Sequence, residues 1–242
     1  AGFMRFSSFL LWVQSRQPCC ALPRPLSLPV DKVVVAPPRI CSRPAAWNAI
    51  LPQQPAPREL NGHANVDVAV VGAGFAGLSA ARRLLQLDKT LKIAILDAGR
   101  VAEGPAGRNS GFMIDLPHDL ASEDYSGKAA SSDKRETALN RLAIKFGADV
   151  VSEYELPAEA YDPAGKINGA ATAAGDQLNR EYAGHLASMG ETYEMLDAAA
   201  MRQRTGSSFY LSGLYTPGTV MLQPALYVRG LAAGVAVRAG IF

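Results

Sequence analysis

Cysteine is scarce in this sequence and is confined to its N-terminal part. The 242-residue chain has three cysteines, Cys19, Cys20 and Cys41. A body without cysteine carries neither a disulfide framework nor a cysteine-ligated zinc site, and it fits a reducing, cytoplasmic location. The chain also has no apolar run close to the roughly 18 residues that a membrane-spanning helix needs. We therefore expect no membrane span.

Neither basic nor acidic residues are in large excess. The formal net charge is +2 at pH 7, so the charge gives no support for a nucleic-acid or membrane-surface partner. The three histidines are scattered and have no paired carboxylate spacing, which predicts no metal site. The sequence contains neither Gly-x-Ser-x-Gly nor Gly-x-x-x-x-Gly-Lys, so a serine hydrolase and a P-loop nucleotide triphosphatase find no support.

The N-terminal stretch has the composition of a leader. Ten of the 16 prolines lie before residue 58, and residues 1–60 carry seven basic and two acidic side chains. The segments between these prolines show no hydrophobic periodicity of a helix or a strand. We therefore predict a disordered or non-domain leader over residues 1–61 and a domain over residues 62–242. Phe6–Val13 resembles a short signal segment without a clean cleavage site, so secretion or organelle import stays an alternative. The first residue is not Met, which suggests a fragment.

The centre of the chain is a glycine motif between an apolar run and a helix-favouring stretch. Val66–Val71 predicts a strand, residues 78–85 predict a helix, and Gly72, Gly74 and Gly77 between them form Gly-x-Gly-x-x-Gly. In a dinucleotide site the first glycine permits a tight turn and the second lets the backbone approach a pyrophosphate. The third lets the helix pack closely on the strand. The start of the helix then offers N–H donors to phosphate.

An acidic residue follows at the spacing that this motif requires. Lys92–Leu96 predicts a second strand, and Asp97 ends it 20 residues after Gly77. An acid at that place accepts hydrogen bonds from the ribose of an adenosine group. The order of these parts predicts an α/β fold with a Rossmann-like βαβ unit. The alternative is a glycine-rich turn in an ordinary βαβ unit with Asp97 as a cap.

The rest of the chain predicts helices and short strands. Asp133 and Glu136 have the spacing of a capping box that opens a long helix, and Pro157 closes it. After it we predict a turn at 161–166, a helix ending near Gly190, a strand at 193–196, a helix from Asp197 to Gly206, two short strands around 216–218, a helix over 224–238 and a strand from 240.

A second motif gives the sequence a family resemblance. Gly107–Gly111 reads Gly-Arg-Asn-Ser-Gly. Together with Val68–Leu84, Asp97–Arg100 and Leu222–Leu231, it resembles the FAD-dependent oxidoreductases of the D-amino-acid oxidase (DAO) superfamily. The likeness is greatest to γ-glutamylputrescine oxidase-type amine oxidoreductases. It implies an incomplete Rossmann-like FAD/NAD(P)-binding domain with a helical insertion and the start of a substrate domain. Family members continue well over a hundred residues further, so the resemblance implies a C-terminally truncated fragment.

The resemblance also implies which residues bind FAD. The glycine turn would hold the pyrophosphate, Asp97 the adenosine ribose, and Arg108–Gly111 would begin a second helix that faces the cofactor. A capped helix without a ligand is the alternative for that last stretch. The cofactor-binding residues implied are Gly72, Ala73, Gly74, Phe75, Ala76, Gly77, Asp97, Ala98, Gly99, Arg100, Arg108, Asn109, Ser110 and Gly111.

The chemistry implied is oxidation of an amine or amino acid. A hydride would pass from the substrate to flavin N5, the imine formed would hydrolyse, and oxygen or another acceptor would reoxidise the flavin. The sequence offers no catalytic residue to name. The alternatives are an NAD(P)-dependent Rossmann dehydrogenase, which needs a third strand soon after Asp97, and a catalytically inactive fragment or binding module.

Single residues add little to this interpretation. His118 could face the flavin or substrate, although a surface turn explains it better, and His185 fits a partly buried structural role. Tyr210, Tyr215 and Arg229 could border a substrate, but sheet packing and a solvated helix face explain them equally well.

Overall fold

The structure is a computed structural model, and it describes residues 12–13, 44–117 and 127–242. None of the helices in these ranges is both long enough and apolar enough to cross a membrane. In chain order the elements are β1 (Trp12–Val13), α1 (Ala46–Ala49), β2 (Val68–Val71), α2 (Phe75–Leu87), β3 (Ile93–Leu96), β4 (Phe112–Met113), α3 (Gly127–Glu153), β5 (Tyr161–Asp162), β6 (Lys166–Ala170), α4 (Ala173–Met189), β7 (Glu194–Asp197), α5 (Ala198–Thr205), β8 (Ser212–Thr216), β9 (Val220–Leu222), α6 (Pro224–Ala236) and β10 (Gly240–Ile241).

The chain divides into two compact units. The first consists of Ala1–Arg108 and Ala232–Phe242, and the second of Asn109–Leu231. The sheet of the first unit has the order β1-β2-β3-β10, in which β2, β3 and β10 run parallel and β1 pairs antiparallel with β2. Helix α2 connects two neighbouring parallel strands, which is a βαβ unit. The α/β, Rossmann-like fold predicted from the sequence is confirmed.

Apolar side chains of one strand pair and one helix form the core of the first unit. Strand β3 is buried over its first three residues, whereas β2 is buried at Val68 and Val70 and ends at the exposed Val71. The end of α2 is stabilised by Arg238, whose guanidinium donates to the carbonyl oxygens of Leu85 (3.2 Å) and Lys89 (3.0 Å). The core side chains, at most 4% exposed, are Val68, Val70, Leu78, Ala81, Leu85, Ile93 and Ile95.

Two antiparallel sheets and helix α4 build the second unit. One sheet has the order β4-β9-β5 and the other the order β6-β8-β7. Helix α4 packs on β6 and β8. The predicted apolar face of this helix is confirmed at two of its three positions, because Tyr182 and Leu186 are buried whereas Leu178 is half exposed. The core cluster here comprises Leu116, Tyr182, Ala183, Leu186, Met189 and Leu214.

The predicted ends of α4 and α5 agree with the structure. The Asp197 carboxylate accepts a hydrogen bond from the Ala200 N–H (2.8 Å) at the start of α5. Gly206 ends that helix with φ = +73°, and Gly190 ends α4 with φ = +79°. Glycine adopts this left-handed conformation without strain, so these helices stop where the sequence indicates.

The predicted start of α3 is wrong. The helix begins at Gly127, six residues before Asp133. The Asp133 carboxylate does not cap a helix but pairs with Nε2 of His185 at 2.9 Å. His185 is only 7% exposed, so this contact joins α3 to α4 inside the second unit. The predicted structural role of His185 is therefore confirmed.

A strand was missed where the sequence predicts a turn over residues 161–166. Tyr161–Asp162 forms β5, and Lys166 opens β6. Strand β6 pairs along all its five residues with β8. Its sequence, Lys-Ile-Asn-Gly-Ala, has little β-branched or aromatic character. Pairing with β8, about 46 residues further along, therefore determines this strand.

The leader prediction falls mostly outside the described residues. Residues 1–11 and 14–43 are among those not described, and residues 44–61 contain α1 followed by an irregular arm. The boundary that we predict at residue 61 stays a prediction.

The pKa of Asp176, in the first turn of α4, provides a test of the hydrogen bond between Ser212 and this carboxylate in the second unit. It lies below its ordinary value of 3.8 because the Ser212 hydroxyl and then the Arg180 guanidinium donate hydrogen bonds to the carboxylate. A depressed folded-state pKa stabilises the fold above the unfolded-state pKa, and that contribution is lost as pH falls through the folded value. We expect Ser212→Ala to raise the pKa of Asp176 towards 3.8, measured by NMR titration of its carboxyl carbon.

The control for this titration is Ser188→Ala. The Ser188 hydroxyl donates to the carbonyl oxygen of His185 and does not touch Asp176. We expect Ser188→Ala to leave the pKa of Asp176 unchanged. An unchanged titration in Ser212→Ala would show that the hydroxyl does not hold the carboxylate.

Candidate functional site

The glycine turn follows β2 directly and opens α2. Gly72 has φ = +102°, a conformation that side-chain-bearing residues rarely adopt. Its N–H donates to the carbonyl oxygen of Leu96 at 2.7 Å, which ties the turn to the neighbouring strand. Gly74 is the N-cap of α2 with φ = −91° and ψ = −172°, and it has no side chain to cap the helix. The start of α2 therefore has no side-chain cap, as in helices that receive an anion.

The three glycines of the motif are required for different reasons. Gly72 is needed for its left-handed backbone. A Cβ on Gly77 would overlap the carbonyl oxygen of Gly72 and lie 3.2 Å from Cγ1 of Val70. A Cβ on Gly74 would meet only the Ala106 Cβ, at an ordinary 3.6 Å. No protein atom excludes a methyl group at position 74, so a requirement for glycine there would come from a bound ligand.

The carboxylate of Asp97 lies beside this turn. Its Oδ2 accepts a hydrogen bond from the Ala73 N–H at 2.7 Å, and its Oδ1 accepts one from the Gly99 N–H at 2.9 Å. The side chain is partly exposed, so it remains accessible to a hydroxyl donor. The structure thus brings the predicted acid and the predicted glycine turn together at the carboxyl ends of two parallel strands. This is where open α/β sheets bind ligands.

The loop after Asp97 holds the next predicted residues. Ala98, Gly99 and Arg100 are exposed. Ala102 is buried with φ = +63°, and a Cβ on Gly107 would overlap its carbonyl oxygen. The loop closes with a short 3-10 helix, Pro105–Gly107.

Arg108 lies at the end of this loop and of the first unit. Its Nε donates to the carbonyl oxygen of Glu103 at 2.7 Å, and its guanidinium lies 3.6 Å from the Glu103 carboxylate. Arg108 therefore fixes the second half of the loop after Asp97.

The predicted helix at Arg108–Gly111 is wrong. Asn109 Oδ1 accepts a hydrogen bond from the Gly111 N–H at 2.8 Å, and Gly111 has φ = +86°. A right-handed helix does not continue through that conformation. The chain enters β4 instead, where the Gly111 carbonyl accepts from the Leu222 N–H (2.8 Å). Asn109, Ser110 and Gly111 belong to the second unit, and their predicted cofactor contact stays a proposal.

Within the described residues, the remaining candidates named singly in the sequence do not form a second site. His118 lies outside the described residues, and Tyr210 packs edge to face against Phe209. The Arg204 guanidinium lies 5.0 Å from the ring centroid of Tyr215. No group of three or more His, Cys, Asp or Glu side chains that could hold a metal occurs within residues 44–117 and 127–242.

Three polar contacts were not predicted from the sequence, because their partners are far apart in the chain. Asn48 donates to the Glu103 carboxylate at 3.0 Å. Arg141 bridges the buried Asp115 and Glu191, at 3.0 and 2.6 Å. No spacing or periodicity signals a pair that is separated by 26 to 55 residues.

Comparison with known proteins agrees with this arrangement. A family model described as FAD dependent oxidoreductase (DAO) matches residues 67–242. The chain is 28% identical over 176 residues to the probable oxidoreductase OrdL of Haemophilus influenzae, a match that covers 69% of this chain and 38% of that protein. It is 27% identical over 192 residues to gamma-glutamylputrescine oxidoreductase of Escherichia coli, with 75% and 42% covered.

Solved structures show the same fold. Glycine oxidase from Bacillus cereus aligns with a TM-score of 0.55 at 17% identity, over 72% of this chain and 45% of that chain. At this identity the likeness concerns the fold. The chain spans about two fifths of the length of the curated relatives it matches.

Proposed function

The chain belongs to the DAO family of FAD-dependent oxidoreductases, and we propose that its first unit holds the adenosine diphosphate half of FAD in an enzyme that oxidises an amine or amino acid. Oxygen or another acceptor would take the electrons. We keep a cytoplasmic location as part of this proposal, because all cysteines lie before residue 42.

The observation that carries the proposal is the contact between Asp97 and the glycine turn. Gly74 brings no Cβ and no side-chain cap to the start of α2, so the N–H groups of that first turn would donate to a pyrophosphate. The partly exposed Asp97 carboxylate, 2.7 Å from the Ala73 nitrogen, would accept hydrogen bonds from the ribose. The residues present therefore fit the cofactor. The further contacts that we propose come from residues 98–100 and 108–111.

The substrate class follows from what the relatives are named for. One relative's name specifies the amine γ-glutamylputrescine, and one structural neighbour's name specifies the amino acid glycine. FAD, when bound, accepts a hydride from the carbon that bears the amine. The substrate also loses a proton and becomes an imine, which water hydrolyses to a carbonyl compound. The task of the chain described here is to bind and orient the cofactor.

Two other functions remain to be distinguished from this one. A nicotinamide-dependent dehydrogenase would bind NAD(H) tightly and carry no flavin. A catalytically inactive binding module would be colourless when purified. The absorption spectrum of the purified chain after incubation with FAD and gel filtration separates both from a flavoprotein.

The role of Asp97 provides the quantitative test. We expect Asp97→Asn to weaken FAD binding at least about tenfold, because a hydrogen bond to a charged group contributes about 1.5–3 kcal/mol. Equilibrium titration followed by flavin fluorescence measures this change.

The matched control for Asp97 is Asp67→Asn. The Asp67 carboxylate also accepts a backbone hydrogen bond, from Lys92 at 2.9 Å. It lies at the start of the same strand pair, opposite the end where Asp97 lies. We expect Asp67→Asn to bind FAD like the unaltered chain, and equal losses in both variants would contradict the proposal.

A further inference from the structure

A short arm before the Rossmann-like unit is held against the loop that follows Asp97. The buried Ala45 donates its N–H to Oε2 of Glu103 at 2.9 Å. Asn48, which is 9% exposed, donates through Nδ2 to the Ala102 carbonyl oxygen (2.9 Å) and to Oε1 of Glu103 (3.0 Å). These bonds compensate the left-handed backbone of Ala102, φ = +63°. These hydrogen bonds therefore hold the arm and the loop in fixed positions relative to each other.

The arm continues along this loop towards Asp97. Gln54 donates through Nε2 to the carbonyl oxygen of Val101 at 3.0 Å. The next residues, Pro55–Pro57, carry two prolines, which limit the conformations of the backbone. Arg58 follows, and its guanidinium carbon lies 4.5 Å from the ring centroid of Phe242. The arm thus presents an amide, two proline rings and a guanidinium on one side.

These groups border a pocket that contains the predicted ribose acid. The pocket has a volume of about 150 Å³ and is lined by Gln54–Arg58 of the arm, by Asp97 and Gly99, and by Phe242. A closed cavity of this size admits one aromatic ring, but this pocket is partly open, so a larger group would extend out of it. Its lining combines the aromatic residue Phe242 and two arginines, Arg58 and Arg100, with the Asp97 carboxylate and backbone groups. Guanidinium and aromatic groups stack on flat ring systems, and carboxylates accept from hydroxyls.

We propose that the arm, residues 44–58, forms one wall of the adenosine pocket for FAD, with Pro55–Arg58 contacting the adenine while Asp97 contacts the ribose. This inference rests on the proposed function. It adds to it a set of binding residues that lie outside the segment matched by the family model, which starts at residue 67. The arm has two tasks: Asn48 and Gln54 position the loop, and Arg58 contacts the ligand.

The experiment uses ADP as the probe, with the 242-residue chain. Hydrogen–deuterium exchange with and without saturating ADP should show slower exchange at the amides of Gln54, Ala56 and Arg58, together with slower exchange over residues 72–77. Protection at the glycine turn with an unchanged arm would overturn the inference and leave the proposed function standing. Absence of protection at both places, with no heat of ADP or FAD binding, would overturn both.

Substitution of Arg58 separates ligand contact from a merely structural role. Arg58 makes none of the hydrogen bonds described above that fix the arm to the loop. We expect Arg58→Ala to weaken ADP binding about fivefold by calorimetry and to leave the melting temperature in place. The matched control, Arg83→Ala, replaces an exposed arginine of α2 and should bind ADP like the unaltered chain. Equal affinities in Arg58→Ala and Arg83→Ala would overturn the adenine contact.

A second pair of variants tests the position of the arm. Gln54→Ala removes the hydrogen bond to Val101, whereas Gln53→Ala changes an exposed neighbour. We expect weaker ADP binding in Gln54→Ala alone. Faster exchange of the arm amides in the Gln54 variant, with unchanged ADP affinity, would show a structural role only and would also overturn the inference.

Discussion

Gly77→Ala is expected to lower the free energy of unfolding by about 3 kcal/mol, the upper range for overpacking a close contact. The added Cβ would overlap the Gly72 carbonyl oxygen and press on Val70. The Gly72 backbone has little room to move, because its N–H is bonded to Leu96 and its φ is +102°. Urea unfolding followed by circular dichroism measures the loss.

The matched control is Gly74→Ala, three positions earlier in the same motif. Its Cβ would meet only the Ala106 Cβ at 3.6 Å, so we expect a change in unfolding free energy below about 1 kcal/mol. The same variant should bind FAD at least about tenfold more weakly, because its methyl group enters the space proposed for the pyrophosphate. Similar unfolding losses in both variants would contradict the separate roles of the two glycines.

Arg141→Met is expected to destabilise the fold by about 3 kcal/mol, since it removes the guanidinium bonded to a buried carboxylate and leaves Lys166 as the cation near it. Asp115 is 1% exposed, and Arg141 contacts its Oδ2 through Nε at 3.2 Å and Nη2 at 3.0 Å. A Cβ on Gly218 would overlap the same carboxylate, so the backbone packs directly against this side chain. Chemical unfolding at neutral pH measures the effect.

Two further variants control for the loss of an arginine stem. Lys145→Met removes the cation of an exposed pair with Asp149 on the same helix, and we expect a change below about 0.5 kcal/mol. Asp115→Asn combined with Arg141→Met should be more stable than Arg141→Met alone, because the unpaired charge is gone. If the double variant is the less stable one, the buried charge is not the cause.

Local patterns in the sequence predict the βαβ unit and most helix ends. The glycine motif, the apolar run before it and Asp97 each depend on backbone conformation within a few residues. The same holds for Asp197 as an N-cap and for Gly190 and Gly206 as helix ends. These signals act between residues that are close in the sequence, so the sequence alone is enough to recognise them.

Contacts between distant residues decide what the sequence did not predict. Asp133 has the spacing of a cap, yet its carboxylate pairs with His185, 52 residues away. Strand β6 has a weak strand composition and forms because β8 pairs with it. Asn48 lies in a proline-rich stretch, and its ordered position depends on Glu103. In each case tertiary packing overrides or adds to the local preference.

The candidate site divides in the same way. For its first half, residues 72–77 and Asp97, the sequence predicted that the acid lies beside the glycine turn. That arrangement depends on backbone conformation, which the glycine motif specifies. The prediction of a helix at Arg108–Gly111 came from resemblance alone, and the left-handed Gly111 contradicts that helix. The arm lies within the predicted leader, as a stretch expected to be partly ordered, because proline content favours irregular structure and does not show what that structure contacts.

The most direct test of the central claim is the response of individual backbone amides to ADP. Nitrogen-15 NMR spectra of the 242-residue chain, titrated with ADP, report on each N–H separately. We expect the largest shifts at Gly74, Phe75 and Ala76, where the pyrophosphate would accept hydrogen bonds, and at Gly99 beside Asp97. Binding of ADP that leaves these amide resonances unmoved and shifts those of another part of the chain would contradict the account.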